Sequence, residues 1–184
     1  MSIIQGTLIG GTTSATIYTG DIGHSLRFRA AGSTYSSRTF SAPTSNTSWA
    51  LSLFDKRGTL STVQSIFSAG DSGIRYNVTT DTISITKDGS VVATSTAVFR
   101  DITAPVHLFF RSNGTNIKGY RNTEEIISYT GTIPDFNSAV LHTIGKYAGA
   151  SSEYFDGYRS RICFVDGGES LTPQDFVRFN TEIN

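Results

Sequence analysis

Three tyrosines crowd one stretch of this chain: Tyr147, Tyr154 and Tyr158 surround the small-residue loop 148–152, with Asp156 and Arg159 in the same run. Those residue types together are the ingredients of a sugar site, in which a ring covers the C–H face of a pyranose while charged side chains take its hydroxyls. Tyr147, Tyr154, Asp156, Tyr158 and Arg159 are therefore the candidate glycan-binding residues. The competing reading is that Tyr147 and Tyr158 finish a sheet edge and the loop between them is merely flexible.

Other chemistry finds less material. Glycoside hydrolysis needs two carboxylates facing one substrate, one protonated and one ionised. The chain has only five Glu, and Glu124 and Glu125 are adjacent, so on a strand they point to opposite faces. No catalytic residue is nominated, and the chain is read as non-enzymatic. His24, His107 and His142 lack metal-ligand spacing, and no metal or other cofactor is expected from them. Calcium is the one ion left open, with Asp71, Asp81, Asp156 and Asp166 as candidate ligands that serve equally well as turn formers. Cys163 lies in the apolar run Ile162–Val165 and reads as a small buried residue, and Trp49 reads as core.

Lys plus Arg and Asp plus Glu both number 15, for a formal charge of zero, which argues against nucleic acid as a partner because phosphates call for a concentrated basic surface. Arg27, Arg29, Arg159 and Arg161 alternate along expected strands and read as a solvated face. The start Met1-Ser-Ile-Ile-Gln-Gly has neither a basic nor a long apolar stretch, so synthesis in a cytoplasm without membrane insertion is expected.

The elements that must position these groups are strands. Ser, Thr and Gly are plentiful and helix formers sparse, which points to an all-β chain, and 184 residues suit one domain. Residues 1–24 are Gly/Thr-rich with two apolar pairs, Ile3-Ile4 and Leu8-Ile9, and read as an extended attachment arm; 25–184 read as the folded domain. Trp49, Leu51 and Leu53 share one strand face, and Ile74, Tyr76 and Val78 repeat the pattern. Asp88-Gly89 and Asn113-Gly114 each predict a hairpin with positive φ at both residues. Thr172-Pro173 predicts a capped C-terminal helix of about two turns or fewer, pinned back by Phe176 and Val177. Together these make a two-sheet antiparallel β-sandwich with one short helix.

Several ordered segments carry a resemblance. They are Ser25-Leu-Arg-Phe28 with Tyr35–Phe40; Thr47–Ser52 running into Lys56-Arg-Gly58; Ile66–Gly70; and His142–Tyr147 through Tyr154–Tyr158 and Ile162–Phe164 to Leu171–Phe176. They resemble the laminin-G-like, concanavalin A-like jelly-roll modules found in structural proteins of tailed-bacteriophage virions. Two tryptophans that such modules often carry are replaced by Phe54-Asp55 and Ala104-Pro105. The resemblance implies a virion-surface protein, a head decoration, capsid fibre or tail accessory, made in multiple copies or as a homo-oligomer. Its implied partners are other virion proteins, held through the arm, and host-surface polysaccharide in the adhesin alternative.

Overall fold

Alternation of apolar and polar residues writes most strands directly. In β3 (Ser48–Arg57), Trp49, Leu51 and Leu53 form one face and are no more than 1% exposed. The computed structural model describes residues 24–177. Around β3 it arranges β1 (Leu26–Phe28), β2 (Ser36–Thr39), β4 (Gln64–Ala69), β5 (Ser72–Tyr76), β6 (Thr82–Lys87) and β7 (Ser90–Val98). These are followed by β8 (Val106–Asn113), β9 (Asn116–Arg121), β10 (Glu124–Thr130), β11 (Leu141–Ile144) and β12 (Gly157–Asp166).

The strands form two six-stranded sheets, A in the order β1-β12-β3-β8-β9-β10 and B in the order β2-β11-β4-β5-β6-β7. Neighbouring strands are antiparallel throughout. The inward faces meet in an aromatic-rich core, where Trp49 packs on Phe136 at 5.0 Å between ring centroids and Phe67 stacks on Phe164 at 5.0 Å. Each such side chain contributes about 1.5–3 kcal/mol by leaving water.

Turn chemistry explains much of the connectivity. Asp88 and Gly89 both take positive φ, 48° and 78°, and close β6 onto β7 as expected. The β8–β9 hairpin also forms, but only Gly114 is in the left-handed region, at φ 91°. Asn113 stays extended because its side-chain oxygen accepts from the amides of Thr115 and Asn116, doing with a carboxamide what the turn was expected to do with backbone.

The short helix is a further correction. No α-helix occurs among the described residues; there are two single 3-10 turns, Ala30–Gly32 and Pro173–Asp175. At the second, the Thr172 amide and hydroxyl both donate to Asp175 Oδ2, which closes the segment on itself after one turn. Phe176 then docks on Phe109 at 5.4 Å, on the outer face of sheet A. Residues 1–23, with Ile3, Ile4, Leu8 and Ile9, lie outside the described residues, and so does the arm expected there. Val78 falls past the end of β5 and is 45% exposed. Cys163 faces outward opposite Ser52 and is exposed, because a bulge between Ser160 and Cys163 shifts the alternation of β12.

Candidate functional site

Tyr154, Asp156, Tyr158 and Arg159 lie toward one end of the sandwich, whereas Tyr147 reaches the β4–β5 turn at the other end of those strands. Register brings the end of β3 to the start of β12 (Arg57 opposite Gly157), the end of β5 to the start of β4 (Tyr76 opposite Gln64), and the end of β11 alongside β4 (Ile144 opposite Phe67). The chain then crosses from sheet B to sheet A through residues 145–156. That crossing requires glycine at its entry: Gly145 has φ 84°, and a Cβ there would come within 2.7 Å of the Phe28 ring.

The crossing loop is anchored by polar side chains. The Ala148 amide donates to Ser68 Oγ at 2.7 Å, Thr143 Oγ1 donates to the Lys146 carbonyl at 2.6 Å, and Arg75 pairs with Glu153 at 2.7 Å. Tyr147 belongs to this anchoring. Its hydroxyl donates to the Asp71 carbonyl at 2.8 Å, and partial burial followed by the Asp71 charge pushes its pKa upward.

The tyrosines do not form one cluster. Tyr154 meets Tyr35, at 6.4 Å between centroids, and Lys146 Nζ lies 4.8 Å from the Tyr35 ring. Tyr158 is on the outer face of sheet A, 44% exposed, with the Arg27 guanidinium 4.8 Å from its ring and Arg27 paired to Asp156 at 2.9 Å. The surface this end offers is thus two aromatic–cation groups, Tyr35–Tyr154–Lys146 and Tyr158–Arg27, with Tyr35 46% exposed. Tyr35 and Lys146 were not among the nominated site residues, since nothing local in the sequence marks Tyr35 as a neighbour of Tyr154.

Arg159 turns inward instead. It is 1% exposed and sits directly opposite Asp55 across the β12–β3 ladder, its Nε donating to Asp55 Oδ1 at 2.5 Å. Its Nη1 and Nη2 donate to the carbonyls of Ile66 and Ser65 in the opposite sheet, at 2.9 and 3.1 Å. A bulge in β4 between Ser65 and Phe67 interrupts that strand's ladder at these carbonyls. The Phe155 ring covers the guanidinium at 3.6 Å. Asp55 also accepts from the Tyr76 hydroxyl at 2.8 Å, and burial, followed by that carboxylate's charge, holds the phenol protonated well above its ordinary range. The expected solvated arginine face is corrected here, because a buried carboxylate waits on the neighbouring strand.

A second buried guanidinium lies beside this group. Arg57 is 3% exposed, stacks 4.4 Å from the Tyr76 ring, and donates through Nη1 to Asp81 Oδ1 at 3.1 Å and the Phe99 carbonyl at 2.8 Å. Asp81 accepts a further bond from Arg100 at 3.2 Å. Two clefts open at this end and share Asp55 and Pro105. One, of about 280 Å³, is bordered by Phe54, Lys56 and Tyr158. The other, of about 290 Å³, runs between the sheets past Arg57 and Phe99 to Arg121 and Asn122.

The four aspartates considered for calcium are spread out. Asp81 is held by Arg57 and Arg100, Asp156 by Arg27, and Asp166 Oδ1 accepts from Asn137 at 2.5 Å, while Asp71 sits in the β4–β5 turn. Among the described residues no three of His, Cys, Asp or Glu converge as a metal site would require.

No protein-family model matches the chain, and no characterised protein matches it in sequence. Solved structures do match in shape. A heptameric SAP-like pentraxin of Limulus polyphemus superposes with a TM-score of 0.60 at 14% identity, covering 82% of this chain and 79% of the pentraxin. Domain 4 of an extracellular arabinanase of Geobacillus stearothermophilus, in complex with arabinotriose, gives 0.51 at 18% identity over 70% of this chain and 64% of that one. A Trypanosoma rangeli sialidase gives 0.53 at 9% identity over 71% of this chain but only 22% of its own. At such identities the likeness is one of fold, and it makes this chain a lectin-like, jelly-roll β-sandwich.

Proposed function

We propose that this chain is a non-enzymatic, lectin-like module displayed on the surface of a tailed-bacteriophage particle, where its aromatic–cation end contacts host-envelope polysaccharide. The observation that carries the glycan reading is the pairing of Tyr35 with Tyr154 beneath Lys146, with Tyr158 and Arg27 at the same end. Exposed rings flanked by cations suit the apolar faces and hydroxyls of sugars. The sugar ligand in the arabinanase-domain complex supports the same reading by analogy of fold. The virion setting is supported by the run of segments from Ser25 to Phe176 that resembles phage modules, and residues 1–23 would make the attachment.

The non-enzymatic part rests on the state of the acids. The buried carboxylates Asp55 and Asp81 are each engaged by arginine and so are committed to the fold. A multimerised domain of residues 24–184 is expected to bind host cells and to lose that binding on the double change Tyr35→Ala and Tyr154→Ala. Absence of cell binding by the unaltered multimer would overturn the glycan reading. Peptides of this protein missing from purified particles by mass spectrometry would overturn the virion setting.

A further inference from the structure

His142 lies on β11 with its ring turned into the sandwich, 2% exposed, and takes no part in the surface described above. Its Nδ1 is 2.8 Å from the Val140 carbonyl oxygen and its Nε2 is 2.7 Å from that of Phe136. Both nitrogens therefore face acceptors, and among the described residues no N–H or O–H is bonded to either. A neutral imidazole carries one N–H and one lone pair. In either tautomer that lone pair would be pressed against a carbonyl oxygen at hydrogen-bond distance with no proton between them, a contact that costs instead of stabilising. Turning the ring over puts carbon where each nitrogen stands and gives up both bonds. The imidazolium alone satisfies the two carbonyls.

The surroundings suit a cation without supplying a counter-ion. Phe40, Phe67 and Phe164 stand around the ring at 4.4, 5.7 and 5.9 Å between centroids, within the range at which aromatic rings attract positive charge. Arg38 of β2 is opposite His142 in the ladder and turns its guanidinium over the Phe40 ring at 5.4 Å. In the loop 131–140 the one charged residue, Asp135, pairs with Lys87 of β6, and Asp166 of β12 is bonded to Asn137. β4 brings no charge. Burial, the largest influence, lowers the His142 pKa, while the carbonyls of Phe136, Val140 and Arg38 raise it. The carbonyls prevail, because the neutral ring that burial favours has nowhere to put its lone pair. From the two facing carbonyls, the lack of a donor and the aromatic enclosure, we propose that His142 is a buried imidazolium that pins the loop 131–140 to β11, and that loss of its proton releases the pin. Phe136, whose carbonyl it holds, packs against Trp49 at 5.0 Å and Phe67 at 5.7 Å, so the pin bears on the core. Deprotonation breaks one of the two bonds and loosens the loop while the ladders stay paired. A group that the fold keeps protonated contributes stability that is complete below its unfolded pKa, about 6.5, and is lost as pH rises through the folded one.

The test is a proton–nitrogen NMR titration of the imidazole rings in the ¹⁵N-labelled full chain. At about pH 6.5, where an unperturbed imidazole is half neutral, both His142 nitrogens are expected to carry protons, with one lost at higher pH. Hydrogen exchange at the amides of Phe136 and Asn137, corrected for its intrinsic pH dependence, should quicken about tenfold across that step, the size of one lost charge-assisted bond. In His142→Gln the step should vanish, with those amides exchanging at the faster rate at every pH. Should that variant fail to fold, the titration of the unaltered chain decides by itself. A His142 ring half protonated or less at about pH 6.5 would overturn the proposal. Amide exchange in the loop that ignores loss of the proton would overturn the pin.

Discussion

Tyr158 and Arg159 are chain neighbours with opposite fates. The first stands 44% exposed beside Arg27; the second lies 1% exposed between the sheets, bonded to Asp55 and to two carbonyls of the opposite sheet. Strand alternation alone separates them. The lesson is that a residue type associated with ligands does fold work whenever its strand face is enclosed, and that a ligand surface at this end must be built from the outward positions and the loop. The two regions should accordingly respond to substitution in different currencies, stability for one and binding for the other.

The sharpest way to break that division is Arg159→Ala. It leaves Asp55 charged and buried without its guanidinium, and a loss of about 3–5 kcal/mol is expected by denaturant unfolding. A loss under 1 kcal/mol would show that the interior group is not structural. Next comes acid. His107 sits on the outer face of sheet A, buried beside Phe54, with Ser52 Oγ 2.9 Å from its Nε2, and burial pushes its pKa down to about 4. The unfolded chain takes up that proton near pH 6.5. The stability contributed by neutral His107 is therefore full above about pH 6.5 and is lost as pH falls toward 4, by about 3 kcal/mol. His107→Gln should flatten that part of the pH–stability curve; an unchanged curve would contradict the assignment.

Gly145→Ala tests the hinge between the two regions. Its positive φ and the Phe28 ring predict a loss of about 2 kcal/mol, read as a lower urea midpoint at unchanged slope. At the small end, Tyr158→Ala is expected to change stability by less than about 0.5 kcal/mol, as exposed substitutions do, while lowering binding of the multimer to host cells. If it instead destabilised the domain as Arg159→Ala does, the inward–outward division would have no meaning at β12.

How much of this was legible follows from the range of the interactions. The β3 core face and the Asp88-Gly89 turn are local patterns, and they are found where the alternation and the dipeptide put them. The inward Arg159 is not local: period two says only that Arg159 and Arg161 differ from Tyr158, and the choice of face is made by Asp55 on another strand. Even Arg161 escapes the pattern, since the bulge after Ser160 places it at φ 48°. Tyr35 opens one of the segments that carry the resemblance and is not among the candidate site residues, because its contact with Tyr154 exists only after β2 pairs with β11. Phe54-Asp55 and Ala104-Pro105 stand where related modules often carry tryptophan, a difference that the sequence alone does not interpret. All four border the clefts, and a sequence read without partners cannot distinguish filling a space from opening one.

Arg159 has a mechanical consequence as well. Its guanidinium joins β12 of one sheet to the bulged β4 of the other, so the two sheets cannot slide past each other without stretching both carbonyl bonds together. Apolar contacts resist separation but yield readily to shear, since one methyl group can replace another; a directional ionic peg cannot be so exchanged. A module tugged sideways at the end where the loop is moored would transmit the pull across the sandwich as one stiff body rather than as two slipping layers.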